Sequence, residues 1–206
     1  RQPVLLDLWA PGGDPPSPTF TTVGSWKQKW RDVEFRGERY WWSKHHEFLK
    51  FLDLPHRTGE VFELALSPRG LEEEDRRRLT DAGWRVRDGL EISRDPDRYR
   101  TYIQCSRGEF TVAKDQNVRL RTGWFSDRSA TYLAAGRPVI TQDTAFGENL
   151  PTGSGLFPFT TAQGVETALE AIRTDYPAHS RAAREIAREY FAHDVVLPRL
   201  LEEALN

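Results

Sequence analysis

The residues with the clearest chemical content lie between Ser126 and Thr144. Ser126-Asp127-Arg128-Ser129-Ala130-Thr131-Tyr132-Leu133-Ala134-Ala135-Gly136 reads as a polar loop and a short helix that Gly136 closes. Ser126 or Asp127 suits the first-turn cap, and the free backbone N–H groups of that turn form an anion site. Arg128 adds a bidentate phosphate donor, and Ser129 a hydroxyl. Ala130, Leu133 and Ala134 form a small apolar face that lets the helix lie close against a sheet. Pro138-Val139-Ile140 then reads as a strand buried on both faces, as parallel strands are. Thr141, Gln142, Asp143 and Thr144 fall at its carboxyl end, where open parallel sheets bind ligands. The arrangement suits a phosphate-bearing ligand.

These groups need a framework. Pro3 to Trp9 reads as an entry strand, followed by a Pro/Gly-rich linker, so that 1–18 precede a domain over 19–206. Thr19 to Gly24 is rich in β-formers and reads as the domain's first strand. The stretch from Ser25 to Trp42 is basic and aromatic with little period, and Ser43 is placed to cap a helix through Leu52. Glu60 to Ser67 reads as a strand, Pro68 to Ala82 as a charged helix ended by Gly83, and Trp84 to Arg87 as an edge strand. Asp95-Pro96 opens a helix to about Tyr99 or Arg100. Tyr102 to Cys105 reads as the next strand, with a loop from Ser106 to Phe110 at its end. Thr111 to Phe125 reads as an insertion, and helices follow over Thr161 to Thr174, Pro177 to Ala192 and Val195 to Leu205. Strands alternating with helices predict an α/β fold: a Rossmann-like, mainly parallel sheet with helices on both faces.

Taken in order, Leu133-Ala134-Ala135-Gly136-Arg137-Pro138-Val139-Ile140, the Asp143-Thr144 step and the Gly147-Glu148 pair resemble the donor-binding half of GT-B glycosyltransferases. Gly153-Ser154-Gly155-Leu156-Phe157-Pro158-Phe159, Ser180 to Arg184 and Tyr190-Phe191 continue the resemblance, which reaches back more loosely to about Phe20. It implies the C-terminal, nucleotide-sugar-binding domain of a glycosyltransferase. That domain would work without a metal or other cofactor, beside an acceptor-binding N-terminal half that this chain has no room for. Alone it is expected to transfer little or no sugar.

The same resemblance assigns candidate residues. Gly24 and Ser25 correspond to the glycine-bearing loop beside the donor phosphates, and Lys44 to a phosphate-binding lysine. Ser106-Arg107-Gly108-Glu109-Phe110 is similar to the family's Pro-Ser-x-x-Glu-Gly-Phe segment, which makes Glu109 the acid at the donor and Arg128 its catalytic partner on the diphosphate. Trp124 or Phe125 is placed to stack on a nucleobase. Ser126 and Ser129 face the phosphates, and Asp143, Thr144, Gly147 and Glu148 the sugar hydroxyls. Thr131 stands where retaining members carry a second glutamate on the ribose, so the pattern for retention is incomplete. In place of Ala145 or Phe146 the family has a glycine.

Composition narrows the field. The 206 residues with a net charge of -2 form one good-sized domain without the basic surplus of a general nucleic-acid binder. Seven Trp and eleven Phe make aromatic packing prominent, and one Cys excludes an internal disulfide. Neither a signal peptide nor an apolar run of the ~20 residues of a membrane span is present, so a cytoplasmic location is the expectation. His45 and His46, as neighbours on a helix, should point to different faces and chelate poorly. A phosphatase would need Asp-x-Asp after the first strand and a dinucleotide enzyme Gly-x-Gly-x-x-Gly; Thr19 to Gly24 offers neither. A non-catalytic nucleotide- or sugar-binding module remains as the alternative to a transferase.

Overall fold

The computed structural model describes residues 2–10, 15, 17–29 and 31–205. The expected linker falls largely outside them. The first half of the fold runs β1 (Phe20–Gly24), β2 (Val33–Phe35), β3 (Glu38–Tyr40), α1 (His45–Phe48), α2 (Leu54–Thr58), β4 (Phe62–Leu66), α3 (Glu73–Asp81), β5 (Arg85–Asp88), α4 (Gly89–Ser93) and α5 (Pro96–Cys105). The second runs β6 (Gly108–Thr111), α6 (Asp115–Arg119), α7 (Asp127–Ala134), β7 (Val139–Gln142), β8 (Leu156–Phe159), α8 (Ala162–Thr174), α9 (Tyr176–Tyr190) and α10 (His193–Leu205).

Six strands form one parallel sheet in the order β5-β4-β1-β6-β7-β8. Counting only these strands along the chain, this is the doubly wound order 3-2-1-4-5-6. One apolar layer joins Phe20, Phe62, Leu64, Phe110 and Phe159 to Phe48, Leu54, Leu79, Val165 and Ile172. The other joins Val139 and Leu156 to Ile103, Ala130, Leu133, Ala134, Ala183 and Ile186. The sheet is therefore covered on both faces, which is why β6 and β7 are buried at every residue.

Four expected features differ. Pro3 to Trp9 is not a strand: Val4 makes a single parallel bridge to Ala192, and Leu6–Trp9 is a 3-10 turn. Its three-residue repeat turns Leu6 and Trp9 inward while Leu5 and Leu8 stay exposed. Tyr102 to Cys105 belongs to α5, because Tyr99, Tyr102 and Ile103 share one helical face. Ser106 to Phe110 is consequently not a loop at a carboxyl end, since β6 begins at Gly108. Ser43 does not cap α1; its hydroxyl accepts from the Gln28 N–H and donates to the Trp26 carbonyl.

Candidate functional site

In the strand order, β1 and β6 are the neighbours from which the chain departs in opposite directions, so their carboxyl ends open the crevice where such sheets bind ligands. Arg128, in the first turn of α7, spans that crevice. Its Nη1 donates to the Val23 carbonyl at 2.8 Å, its Nη2 to Thr111 Oγ1 at 3.0 Å and its Nε to Glu109 Oε1 at 2.5 Å. One guanidinium thus ties the end of β1 to the end of β6. Burial works against its charge, but the Glu109 carboxylate outweighs burial and raises its pKa.

Lys44 precedes α1 and is half-buried beside this pair. Burial and the Arg128 guanidinium push its pKa down to about 7, against the opposing pull of Glu109. No acidic side chain among the described residues forms an ion pair with it. Gly24 sits at the mouth of the crevice, where an added Cβ would come 4.0 Å from Arg128 Nη1. Ser25 follows it at the same end of the sheet. Two cations, the Gly24-Ser25 turn and the amino end of α7 therefore converge on one opening.

Glu109 takes a different place from the one expected. It lies inside β6, fully buried, paired in register with Thr21 on one side and Val139 on the other. Its Oε1 accepts from Arg128 and from Thr22 Oγ1, and its Oε2 has no partner among the described residues. The carboxylate is enclosed in the strand and paired with Arg128. Ser106 and Arg107 lie at the opposite, amino-terminal edge of the sheet. There Ser106 Oγ bonds Thr21 Oγ1 at 2.6 Å, and the Arg107 guanidinium rests 5.0 Å from the Tyr176 ring centroid. The strand misplaced over 102–105 shifted this whole segment one element along.

At α7 the residues sort by helical phase. Ser126 precedes the helix, its side chain near Asp127 rather than capping a backbone N–H; Asp127 Oδ1 accepts from the Arg128 N–H at 2.8 Å. Ser129 follows Arg128 in the first turn of α7; it is buried, and its hydroxyl has no partner among the described residues. Thr131 donates to the Arg128 carbonyl at 2.6 Å. Phe125, half-buried, packs on Phe146 and Phe191, each at 5.4 Å between centroids, against the apolar layer. Trp124, half exposed, retains a free face.

The loop after β7 is tightly built. Asp143 accepts from the Ala145 N–H at 2.8 Å, and Thr144 Oγ1 donates to the Trp124 carbonyl at 2.7 Å. Ala145 has a φ of +73°, the left-handed conformation that explains the glycine expected there. Gly147 and Glu148 are exposed, and Glu148 and Asp143 both lie within 4 Å of the Arg121 guanidinium. His45 and His46 do not diverge: their rings lie 3.9 Å apart, with Trp41 4.5 Å from His46. α1 is a single turn flanked by indoles, too short to impose separate faces.

Sequence reasoning missed Thr22 and Thr111, which hold the Glu109–Arg128 pair, and Tyr132, whose phenol bonds Thr21 at 2.6 Å. A threonine repeat in β1 facing a tyrosine one turn beyond Arg128 was the available signal.

Several solved structures share this architecture. AviGT4, a glycosyltransferase involved in avilamycin A biosynthesis, matches with a TM-score of 0.60 and 13% identity over 98% of this chain and 55% of its own. A sucrose-phosphate synthase from Thermosynechococcus elongatus matches at 0.59 and 15%, over 99% of this chain and 51% of its own. The C-terminal domain of a glycosyl transferase group 1 family protein (LpcC) from Francisella tularensis matches at 0.52 and 14%, over 96% of this chain and 98% of its own. The chain thus spans about half the length of the two longer proteins and nearly all of an isolated C-terminal domain. No protein-family model matches the sequence, and no curated protein matches it significantly. The fold is that of the C-terminal half of a GT-B glycosyltransferase.

Proposed function

We propose that this chain is the donor-binding domain of a glycosyltransferase and receives the diphosphate of a nucleotide sugar between Lys44 and Arg128. The observation that carries the reading is the pair itself: two cations at the switch point of a doubly wound sheet, with one buried carboxylate bound to Arg128. A departing diphosphate gains negative charge on its leaving oxygen, and preorganised cations at that point lower the barrier. Arg128 is held still by three acceptors, so it costs little reorganisation when the diphosphate arrives. Lys44 lacks an acidic partner and supplies the mobile charge. Glu109 acts through Arg128 as a positioning residue rather than on the sugar. In this mechanism side chains and the α7 amino end neutralise the phosphates, and no divalent ion takes part.

Trp124 and the Asp143–Glu148 loop, which a hydrogen bond from Thr144 ties together, are assigned to the base or sugar. The acceptor, and the base that removes its proton, are assigned to an N-terminal half. Among the described residues no helix is long and apolar enough to cross a membrane.

A thermal-shift screen with UDP, GDP, TDP, ADP and their monophosphates tests the reading. Selective stabilisation by one diphosphate, abolished in Arg128→Ala and Lys44→Met, is expected. Equal response of wild type and variants to every nucleotide would refute it.

A further inference from the structure

A second cationic feature adjoins the Lys44–Arg128 crevice and is not used by the proposed diphosphate site. Trp42 lies two residues before Lys44, and Lys114 lies three residues beyond Thr111, so the two strands' exits bring them together. The Lys114 ammonium sits 3.0 Å from the Trp42 ring centroid, and the Arg31 guanidinium 5.2 Å from the same ring. Two cations share one indole.

The scaffold beneath them is fixed. Gln116 Nε2 donates to the carbonyls of Arg31 and Tyr40, and the Trp42 N–H donates to Asp32 at 2.9 Å. The nearby acids are already engaged: Asp32 with Arg39 and the Trp42 N–H, Asp115 with Arg119 and the Trp41 N–H. Neither Arg31 nor Lys114 has an ion-pair partner among the described residues. Lys114 is half-buried, and burial together with Arg31 lowers its pKa to about 8. It is also close enough to Lys44 to repel it. Like charges held together over a rigid base, with their counter-charges spent elsewhere, leave a place for an anion.

We infer that Arg31, Lys114 and Trp42 form a second anion subsite beside the diphosphate crevice, which takes a carboxylate or phosphate group borne by the substrate. The inference rests on the donor-site reading for its substrate class: the sugar transferred, or the acceptor that meets it, is acidic. An anion there meets the two unpaired cations, while the indole holds the Lys114 ammonium in place. The subsite gives selectivity because a neutral sugar leaves the two charges unpaired.

The test follows the Trp42 indole N–H resonance, identified by its loss in Trp42→Phe. The protein is first saturated with inorganic pyrophosphate and then titrated with inorganic phosphate. The expected result is a saturable shift of Trp42 that Lys114→Gln weakens about tenfold, while pyrophosphate affinity stays within about threefold. Pyrophosphate binding without any Trp42 response to phosphate overturns the subsite and leaves the diphosphate site standing. A Lys114-dependent response with no pyrophosphate binding leaves the subsite and overturns the diphosphate site. Silence in both overturns both. Glucuronic acid 1-phosphate and glucose 1-phosphate distinguish the source of the anion. A Lys114-dependent preference for the former places it on the transferred sugar, and equal binding places it on the acceptor.

Discussion

Diphosphate binding should draw a proton from solution, and Lys44 should be its destination. In the free protein its pKa is depressed to about 7 by burial and by Arg128 and Lys114, with Glu109 and Asp127 opposing them. About half of the molecules then carry the ammonium at pH 7, and about one in ten at pH 8. A bound diphosphate restores the charged form, so the complex holds Lys44 protonated. Uptake on binding is therefore about 0.5 proton at pH 7, rising to about 0.9 at pH 8. The sign follows: the bound state holds more protons than the free state, so affinity falls as pH rises. If the bound pKa returns to its ordinary range, the loss between pH 7 and pH 9 is about fiftyfold. Calorimetric titration in buffers of different ionisation enthalpy measures the exchange, and Lys44→Met isolates the part that comes from the ligand's own phosphate, so that the difference is the Lys44 uptake. A pH-independent affinity in wild type, or the same uptake in Lys44→Met, would refute the reasoning.

Three further predictions concern the scaffold. Glu109→Gln keeps the shape of the buried side chain but leaves the Arg128 guanidinium without its counter-charge, so unfolding stability should fall by about 3 kcal/mol; a chemical denaturation midpoint equal to wild type would show that the pair carries no such weight. Ala145→Gly relieves a left-handed backbone at φ +73° and should raise stability by about 0.5–1 kcal/mol after the glycine's entropy is subtracted; a lower melting temperature would contradict the assigned conformation. Gly155→Ala should be severe, because φ is +72° and an added Cβ would run into the backbone of Ala182 and Ala183 in α9. A loss above about 3 kcal/mol, or roughly 6–12 °C in melting temperature, is expected, and a soluble variant melting with the wild type would exclude that packing.

How much could be read before the structure varies by segment, for physical reasons. From Asp127 onward the elements are contiguous and strongly marked: Gly136 ends α7, Val139 and Ile140 are uniformly apolar, and α8 and α9 hold their apolar positions at three- and four-residue spacing. The fold class and the position of Arg128 at the start of α7 followed from these, whereas Lys44 was reached only through the family resemblance. Tyr102-Ile103-Gln104-Cys105 is too short for periodicity to separate strand from helix, and only Tyr99 one turn back reveals α5. That one element displaced Ser106, Arg107 and Glu109 from where they lie. The β2–β3 hairpin was hidden because its turn uses Arg36 at φ +52° before Gly37 at φ +77°, where an asparagine would have announced it. Its strands are three residues each and mostly exposed, so the Val33-Glu34-Phe35 alternation is too short to mark them.

The donor-site account stands most directly on where a nucleotide lies. A crystal of this domain soaked with the nucleoside diphosphate that gives the largest thermal shift should show its phosphates against Lys44 Nζ, the Arg128 guanidinium and the first turn of α7. Phosphates bound elsewhere, for instance among Arg85, Arg87 and Arg98 under α5, with the Lys44–Arg128 crevice unoccupied, would contradict it.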